Sequence, residues 1–305
     1  MMPTMASTER AVIASPSDAD AFRFSDEELV RSPAVLSGFA TNVHGWGMRS
    51  YAQHIEELGQ TLKVPSMVQS FACVLVQRYM MLESVSGLES SETLATAAFF
   101  LACKAQETPK RLKEVVTESL RLRLQNDKLL PDLFPSDSRG QCLYDLILAS
   151  SESGAASPLA SPSDGDFFVP PHVFRNERDA VLNLEEAILR AVSFCLHIEM
   201  PYKPFMELVT RFVPDETKKV FVQVGWSFIN DSYKTWVHMK YDEKSIAIAA
   251  FMLTRLFLSQ GSPGSEAQNS PSVSLEFEEL ENKQVMDAAF MMLELYDDSS
   301  KQAWI

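Results

Sequence analysis

The stretch Ala95-Thr96-Ala97-Ala98-Phe99-Phe100-Leu101 decides how this chain is read. Wound as a helix, it places alanine on several faces, and small side chains on all sides let other helices approach from every direction. Such a helix is predicted to be the buried centre of a bundle. The pattern returns as Ala247-Ile248-Ala249-Ala250-Phe251-Met252-Leu253, which shares A-x-A-A-F-x-L with the first copy. Each copy follows a long helical stretch. Two tandem helical bundles, each built round an alanine-rich helix, account for the echo most economically.

Outward from these centres the pattern stays helical. Tyr51, Ile55, Leu58 and Leu62 carry the spacing of an amphipathic helix over Met48–Leu62. Pro65 opens a second helix that runs to about Glu83, and Ser90–Lys104 forms the third. Thr108 reads as an N-cap with Pro109 at the first helical position, so a fourth helix is predicted to start there. Helix resumes from about Asn176 to Phe194. Further helices are predicted at Pro204–Phe212, Asp215–Trp236, Asp242–Leu258 and Glu281–Tyr296, with Asp215 and Asp242 as N-caps. No alternating strand pattern of useful length appears, so the fold class is all-α. The Ser-, Ala- and Pro-rich residues 1–25 and the run SSESGAASPLASPSDGD over 150–166 have compositions that cannot bury enough surface to order themselves. Residues 259–272 read as a second flexible loop.

The 305 residues are 46% hydrophobic, enough for one large or two ordinary domains with real cores. A net charge of −14 makes nucleic acid and anionic membrane poor default partners, because phosphates demand Lys and Arg. Cys73, Cys103, Cys142 and Cys195 show no CxxC spacing, which suits a reducing intracellular compartment with buried thiols. No apolar run approaches the ~20 residues of a membrane span, and no signal-peptide core stands at the N-terminus, so a soluble intracellular protein is expected. The chain has no phosphate-cradling glycine loop, no G-x-S-x-G and no H-E-x-x-H. His44, His54, His172, His197 and His238 are scattered, without metal-ligand spacing. Glu56-Glu57 and Glu185-Glu186 are sequence neighbours on different helix faces and make no acid/base dyad. No catalytic residue, metal or cofactor is expected, and an interaction protein is the better class.

The first alanine-rich helix closes on a charged pair. In Phe100-Leu101-Ala102-Cys103-Lys104-Ala105-Gln106-Glu107-Thr108-Pro109-Lys110-Arg111-Leu112, Lys104 and Glu107 stand three apart and would be neighbours on a helix surface. One reading is a solvated helix end worth a few tenths of a kcal/mol. The other follows from position: the pair emerges where a buried central helix meets solvent or a partner.

These residues resemble the cyclins, and in particular the transcriptional cyclin T and cyclin K group, over most of the chain from Phe24 to Asp298. The N-terminal segment Phe24-Ser25-Asp26-Glu27-Glu28-Leu29-Val30-Arg31-Ser32-Pro33 resembles theirs. Lys104–Leu112 resembles their K-x-E-E-x-P-x-K/R-L, with Gln106 in place of the first glutamate. Phe228-Ile229-Asn230-Asp231-Ser232-Tyr233-Lys234-Thr235 resembles the N-D-S/G-x-x-T segment of their second repeat, and Met292-Leu293-Glu294-Leu295-Tyr296-Asp297 their closing M-L-E-L-Y-E. Met48-Arg49-Ser50-Tyr51 is out of register with the substrate-docking patch of cell-cycle cyclins and is given no such role.

The resemblance implies two tandem five-helix cyclin boxes, over 26–199 (with an insertion at about 127–175) and 200–298. It implies a nuclear regulatory subunit, not an enzyme, that forms a heterodimer with a cyclin-dependent protein kinase and activates it in transcription elongation by RNA polymerase II. Lys104 and Glu185 match the family's kinase anchors. Ala105, Glu107, Leu189, Phe194 and Leu196 fall at flanking contact positions. Three alternatives stay open: a splicing- or Mediator-linked cyclin of the L or C kind, a cyclin-fold scaffold without kinase activation, and a DNA-binding relative of transcription factor IIB. Residues 264–305, with nine acids and two bases, argue against the last. Ser-Pro pairs at Ser157 and Ser161 are candidate phosphorylation sites for a proline-directed kinase.

Overall fold

The structure is a computed structural model and describes residues 22–36, 46–83, 91–125, 169, 171–260 and 282–296. Among these residues the regular elements are all helices: α1 (Asp26–Val30), α2 (Pro33–Leu36), α3 (Trp46–Thr61), α4 (Ser66–Leu82), α5 (Ser91–Ala105), α6 (Leu112–Gln125), α7 (Pro171–Ala191), α8 (Tyr202–Phe212), α9 (Asp215–Ser232), α10 (Val237–Lys240), α11 (Glu243–Gln260) and α12 (Lys283–Leu293), closed by a 3-10 turn at Glu294–Tyr296. The fold is all-α, in two compact units. One comprises Ser50–Val76 and Ser86–Arg190; the other comprises Met1–Arg49, Gln77–Val85 and Ala191–Ile305.

In the first unit α5 is the centre. Every residue from Glu92 to Cys103 is buried, and Ala95, Ala97, Ala98 and Ala102 let neighbouring helices approach closely. Ile55, Leu58, Phe71, Leu75, Val115, Leu120, Val181 and Ile188 from α3, α4, α6 and α7 are almost wholly enclosed around it. Two buried polar knots run through this apolar core. His54 Nε2 lies 3.2 Å from Thr96 Oγ1 and 3.0 Å from Ser119 Oγ, and the two hydroxyls are 2.6 Å apart, so α3, α5 and α6 are tied at one point. The second knot, between α5, α6 and α7, holds an ion pair and is described below.

Helix α6 starts at Leu112, later than Pro109. The physical reason is that Thr108 is already engaged. Its N–H donates to the Cys103 carbonyl at 2.9 Å and its hydroxyl to the Gln106 carbonyl at 3.1 Å, so it closes α5 instead of capping α6.

The second unit repeats the central helix with a different filling. α11 packs against α8, α9 and α12. Ala247, Ala249, Ala250 and Phe251 are fully buried. The ring of Phe251 lies 4.8 Å from that of Phe221 and 6.4 Å from that of Phe205, so aromatic contacts fill the space. Gly225 on α9 is required by this packing, because a Cβ there would stand 2.0 Å from Phe205 Cζ. Asp242 caps α11 as the sequence suggests, accepting from the Ser245 N–H at 3.3 Å. Asp215 does not cap α9: Pro214 holds the N-cap position, and Asp215 sits in the first turn, paired with Lys218 at 2.6 Å. α9 ends at Ser232, short of Trp236, because the Ser232 and Thr235 hydroxyls turn back onto the carbonyls of Ile229 and Ser232. Gln77 belongs to this unit and donates its side-chain amide to the Tyr233 and Thr235 carbonyls at 2.9 and 3.0 Å. At its N-terminal side, Phe22 and Phe24 are buried, and the Phe24 N–H donates to the Met239 carbonyl at 2.8 Å.

Candidate functional site

α5 ends abruptly, and the way it ends shapes the site. The Glu107 N–H donates to the Lys104 carbonyl at 3.3 Å and the Thr108 N–H to the Cys103 carbonyl at 2.9 Å. This double closure requires a left-handed residue, and Glu107 takes that role with φ 51°. Most helices place glycine there, so a glutamate in this conformation is mildly strained. The consequence is that Glu107 lies beyond the helix and does not sit beside Lys104 as an i, i+3 neighbour.

Lys104 pairs with Glu185 of α7 instead. The lysine side chain is 45% exposed, whereas the glutamate is only 10% exposed. Beneath the ammonium lies the Phe100 ring, with Nζ 4.3 Å from its centroid, a cation–π contact of about 0.5–1 kcal/mol at a site this open. The lysine is thus pinned by a carboxylate from one side and an aromatic face from below, with its remaining donors open to solvent. Glu186, the other half of the acidic pair, is exposed and bonds Arg190 along the helix, so the two neighbours have entirely different surroundings. Leu189 is half-buried one turn further along α7, and Ala105 is half-buried beside Lys104.

Phe194 and Leu196 follow α7 and fall in the other compact unit. Phe194 is 67% exposed and holds φ 59°, directly after Ser193 at φ 51°. A bulky residue in the left-handed region costs of order 1–3 kcal/mol and points to a use for the strain. Leu196 is half-buried. The structure therefore joins Lys104 to Glu185, with Ala105 next to the lysine in sequence and Leu189 one turn beyond the glutamate, and takes Glu107 out of the helix. Ser157 and Ser161 lie outside the described residues.

Sequence reasoning missed two features. Lys110 donates to the Leu62 carbonyl at 2.8 Å, satisfying the open end of α3, so the basic turn after Pro109 has a structural task. The other is Glu177, an acid on the buried stripe of α7 between Val173 and Val181, whose carboxylate accepts from Arg123 and Thr93. An acid at an apolar position of an amphipathic helix was the signal that could have found it. Among the described residues no group of three or more His, Cys, Asp or Glu side chains is placed to hold a metal, and no helix is long and apolar enough to cross a membrane.

Residues 47–120 match the family described as transcription factor TFIIB repeat, about a quarter of the chain. Cyclin-T1-5 of Arabidopsis thaliana is 25% identical over 268 residues, covering 88% of this chain and 39% of that protein. Cyclin-L2 of Homo sapiens is 24% identical over 271 residues, covering 89% of this chain and 44% of that protein. The chain thus spans about two fifths of the length of these curated relatives. A chain of the yeast RNA Pol II CTD kinase CTDK-1 complex superposes with a TM-score of 0.61 at 17% identity, covering 92% of this chain and 74% of that one. The fold is the tandem cyclin box. The chain is cyclin-like, and its sequence similarity runs to cyclins of the T and L kinds.

Proposed function

We propose that the chain is the regulatory subunit of a cyclin-dependent protein kinase that acts in RNA polymerase II transcription, with the kinase docking at the mouth of α5. The observation that carries the reading is the Lys104–Glu185 pair, which pins a half-exposed cation at the end of a helix whose residues Glu92 to Cys103 are all buried. A rigid, pre-oriented charge of this kind favours one partner over others, because a charge pair desolvated by docking is costly to leave half-made. Leu189 and Ala105 supply adjacent apolar surface. Phe194 and Leu196 are proposed as further contacts, with the strained, exposed Phe194 ring as an anchor. Similarity to T- and L-type cyclins supports the kinase partner and a nuclear setting. The TFIIB-repeat match would equally suit a DNA-facing protein, but the net charge of −14 opposes phosphate binding.

The test is capture and activation. The tagged chain is expected to capture a cyclin-dependent kinase from nuclear extract, identified by mass spectrometry. The purified pair should phosphorylate a polymerase tail-repeat peptide, and neither subunit alone should do so at a comparable rate. A chain that captures no such kinase, or that phosphorylates the peptide unaided, overturns the reading. The same incubation with ATP tests Ser157 and Ser161, where phosphopeptide mapping should find label.

A further inference from the structure

Resting on that reading, we propose that Glu177 is a positioning residue for the docking pair: with Arg123 and Thr93 it sets the register of α7 against α5, and so places Glu185 where Lys104 meets it. The two helices touch through polar groups at two levels. At the inner level Glu177 Oε1 accepts from Thr93 Oγ1 and from Arg123 Nη1, each at 2.8 Å, while Arg123 Nη1 also reaches Thr93 Oγ1 at 3.4 Å. Arg123 and Glu177 side chains are 5% and 7% exposed, so this ion pair is deep in the bundle. At the outer level stands Lys104–Glu185.

Both levels climb the helices in the same direction, from Thr93 to Lys104 on α5 and from Glu177 to Glu185 on α7. At 1.5 Å per residue the separations are about 16 Å on α5 and about 12 Å on α7. Between them the buried positions of α7 are Val181 and Leu184, both apolar. Such an apolar interface accepts small slides and rotations, because one branched aliphatic contact replaces another at little cost. A buried carboxylate does not accept them. It is satisfied only where the hydroxyl and the guanidinium converge, and anywhere else it is left charged and unpaired. The inner rung therefore fixes a register that aliphatic packing leaves loose. Nor is the rung tuned for stability alone, since Arg123 Nε is buried without a protein partner.

The test replaces the rung by apolar residues of similar size, Arg123→Met with Glu177→Leu, a change that leaves no charge stranded. The first readout needs no kinase: the rate at which an amine-reactive acylating reagent modifies Lys104 in the isolated chain, followed by peptide mass spectrometry. The double variant is expected to melt near the parent and to acylate Lys104 several-fold faster, as Glu185 no longer holds it. The second readout is binding of the captured kinase. In the parent, Lys104→Ala and Glu185→Ala should be coupled, and in the double variant that coupling should fall by roughly tenfold in the binding constant. Arg123→Lys, which keeps the ion pair, should stay near the parent in both readouts. A folded double variant with parental acylation and parental coupling overturns the positioning role. Parental Lys104→Ala binding as tightly as the parent overturns the docking reading instead, while the acylation readout still decides the register.

Discussion

The two alanine-centred helices differ most where their sequences are most alike. Aligned on A-x-A-A-F-x-L, α5 and α11 bury the same small residues and the same phenylalanine, Phe99 and Phe251. In that register Lys104 stands opposite Leu256, and Thr96 opposite Ile248. The first bundle is threaded by polar knots and ends in a pinned cation. The second is filled by aromatic rings, and the polar atom it buries at Thr254 turns back onto the Ala250 carbonyl of its own helix at 2.7 Å. Leu256 is 53% exposed, with nothing charged in its place. Around α5 the buried side-chain polar groups of neighbouring helices meet one another, whereas around α11 aromatic packing predominates.

The largest expected effect contrasts the two fillings. Arg123→Met alone strands the Glu177 carboxylate and is expected to cost ~3–5 kcal/mol, whereas the paired change with Glu177→Leu should restore most of it. Phe251→Ala is expected to cost a similar ~3–5 kcal/mol through the cavity it opens, with no rescue by any charge change. Urea unfolding of the three variants measures both. If Arg123→Met were harmless, the polar knot would be ornamental.

Overpacking the two centres comes next. Ala98→Leu and Ala250→Leu each insert methylenes into a site with no exposure, at ~1–3 kcal/mol. Ala98 lies below Lys104 on α5, so its variant should also lose kinase activation. The Ala250 variant should keep activation at low temperature, where it is folded. Equal loss of activation at matched folded fraction would mean that the two bundles do not divide their tasks in this way.

Acid should act on the second unit through His238. Its imidazole lies flat on Tyr233, with ring centroids 3.9 Å apart, and Nε2 meets Ser232 Oγ at 2.8 Å. Burial pushes the pKa down to about 3, against about 6.5 when unfolded. Between those values the unfolded chain binds a proton that the folded chain does not. Stability is therefore complete above about pH 6.5 and falls as pH drops toward 3, by at most ~1.4 kcal/mol per pH unit. A single proton sets this limit on the slope. His238→Asn should flatten the dependence in denaturation curves taken across that range; an unchanged slope would assign it to the carboxylates.

The smallest expected effect separates neighbours in the most family-like stretch. Lys110→Met removes the hydrogen bond to the Leu62 carbonyl and should cost ~0.5–1.5 kcal/mol of stability, with kinase affinity unchanged. A loss of affinity at unchanged stability would move Lys110 into the docking site.

The centres were legible because alanine on several faces of a helix lets neighbours approach from all sides, and both helices lie where the echo put them. Helix starts were less legible. Thr108 looks like a cap on local sequence, but hydrogen bonding at the end of α5 had already claimed it. Glu107 could not be placed from its spacing, since a left-handed glutamate reads in sequence as one more helical turn. Glu185 was reached only through the family resemblance. Glu177 and Arg123 were within reach of helical periodicity alone, as charges on apolar stripes, yet such a charge reveals its partner only when the fold brings α5, α6 and α7 together.

The central claim is that function resides at the end of α5 and not at the matching end of α11. It is tested most directly by the dissociation constant of the captured kinase for the parent, Lys104→Glu and Leu256→Glu. Reversing a charge at a docked pair typically costs ~2–5 kcal/mol, so Lys104→Glu is expected to weaken binding by more than tenfold. Leu256→Glu, at the equivalent position of the second copy, should bind like the parent. Equal affinities for all three, or a loss confined to Leu256→Glu, would contradict the account.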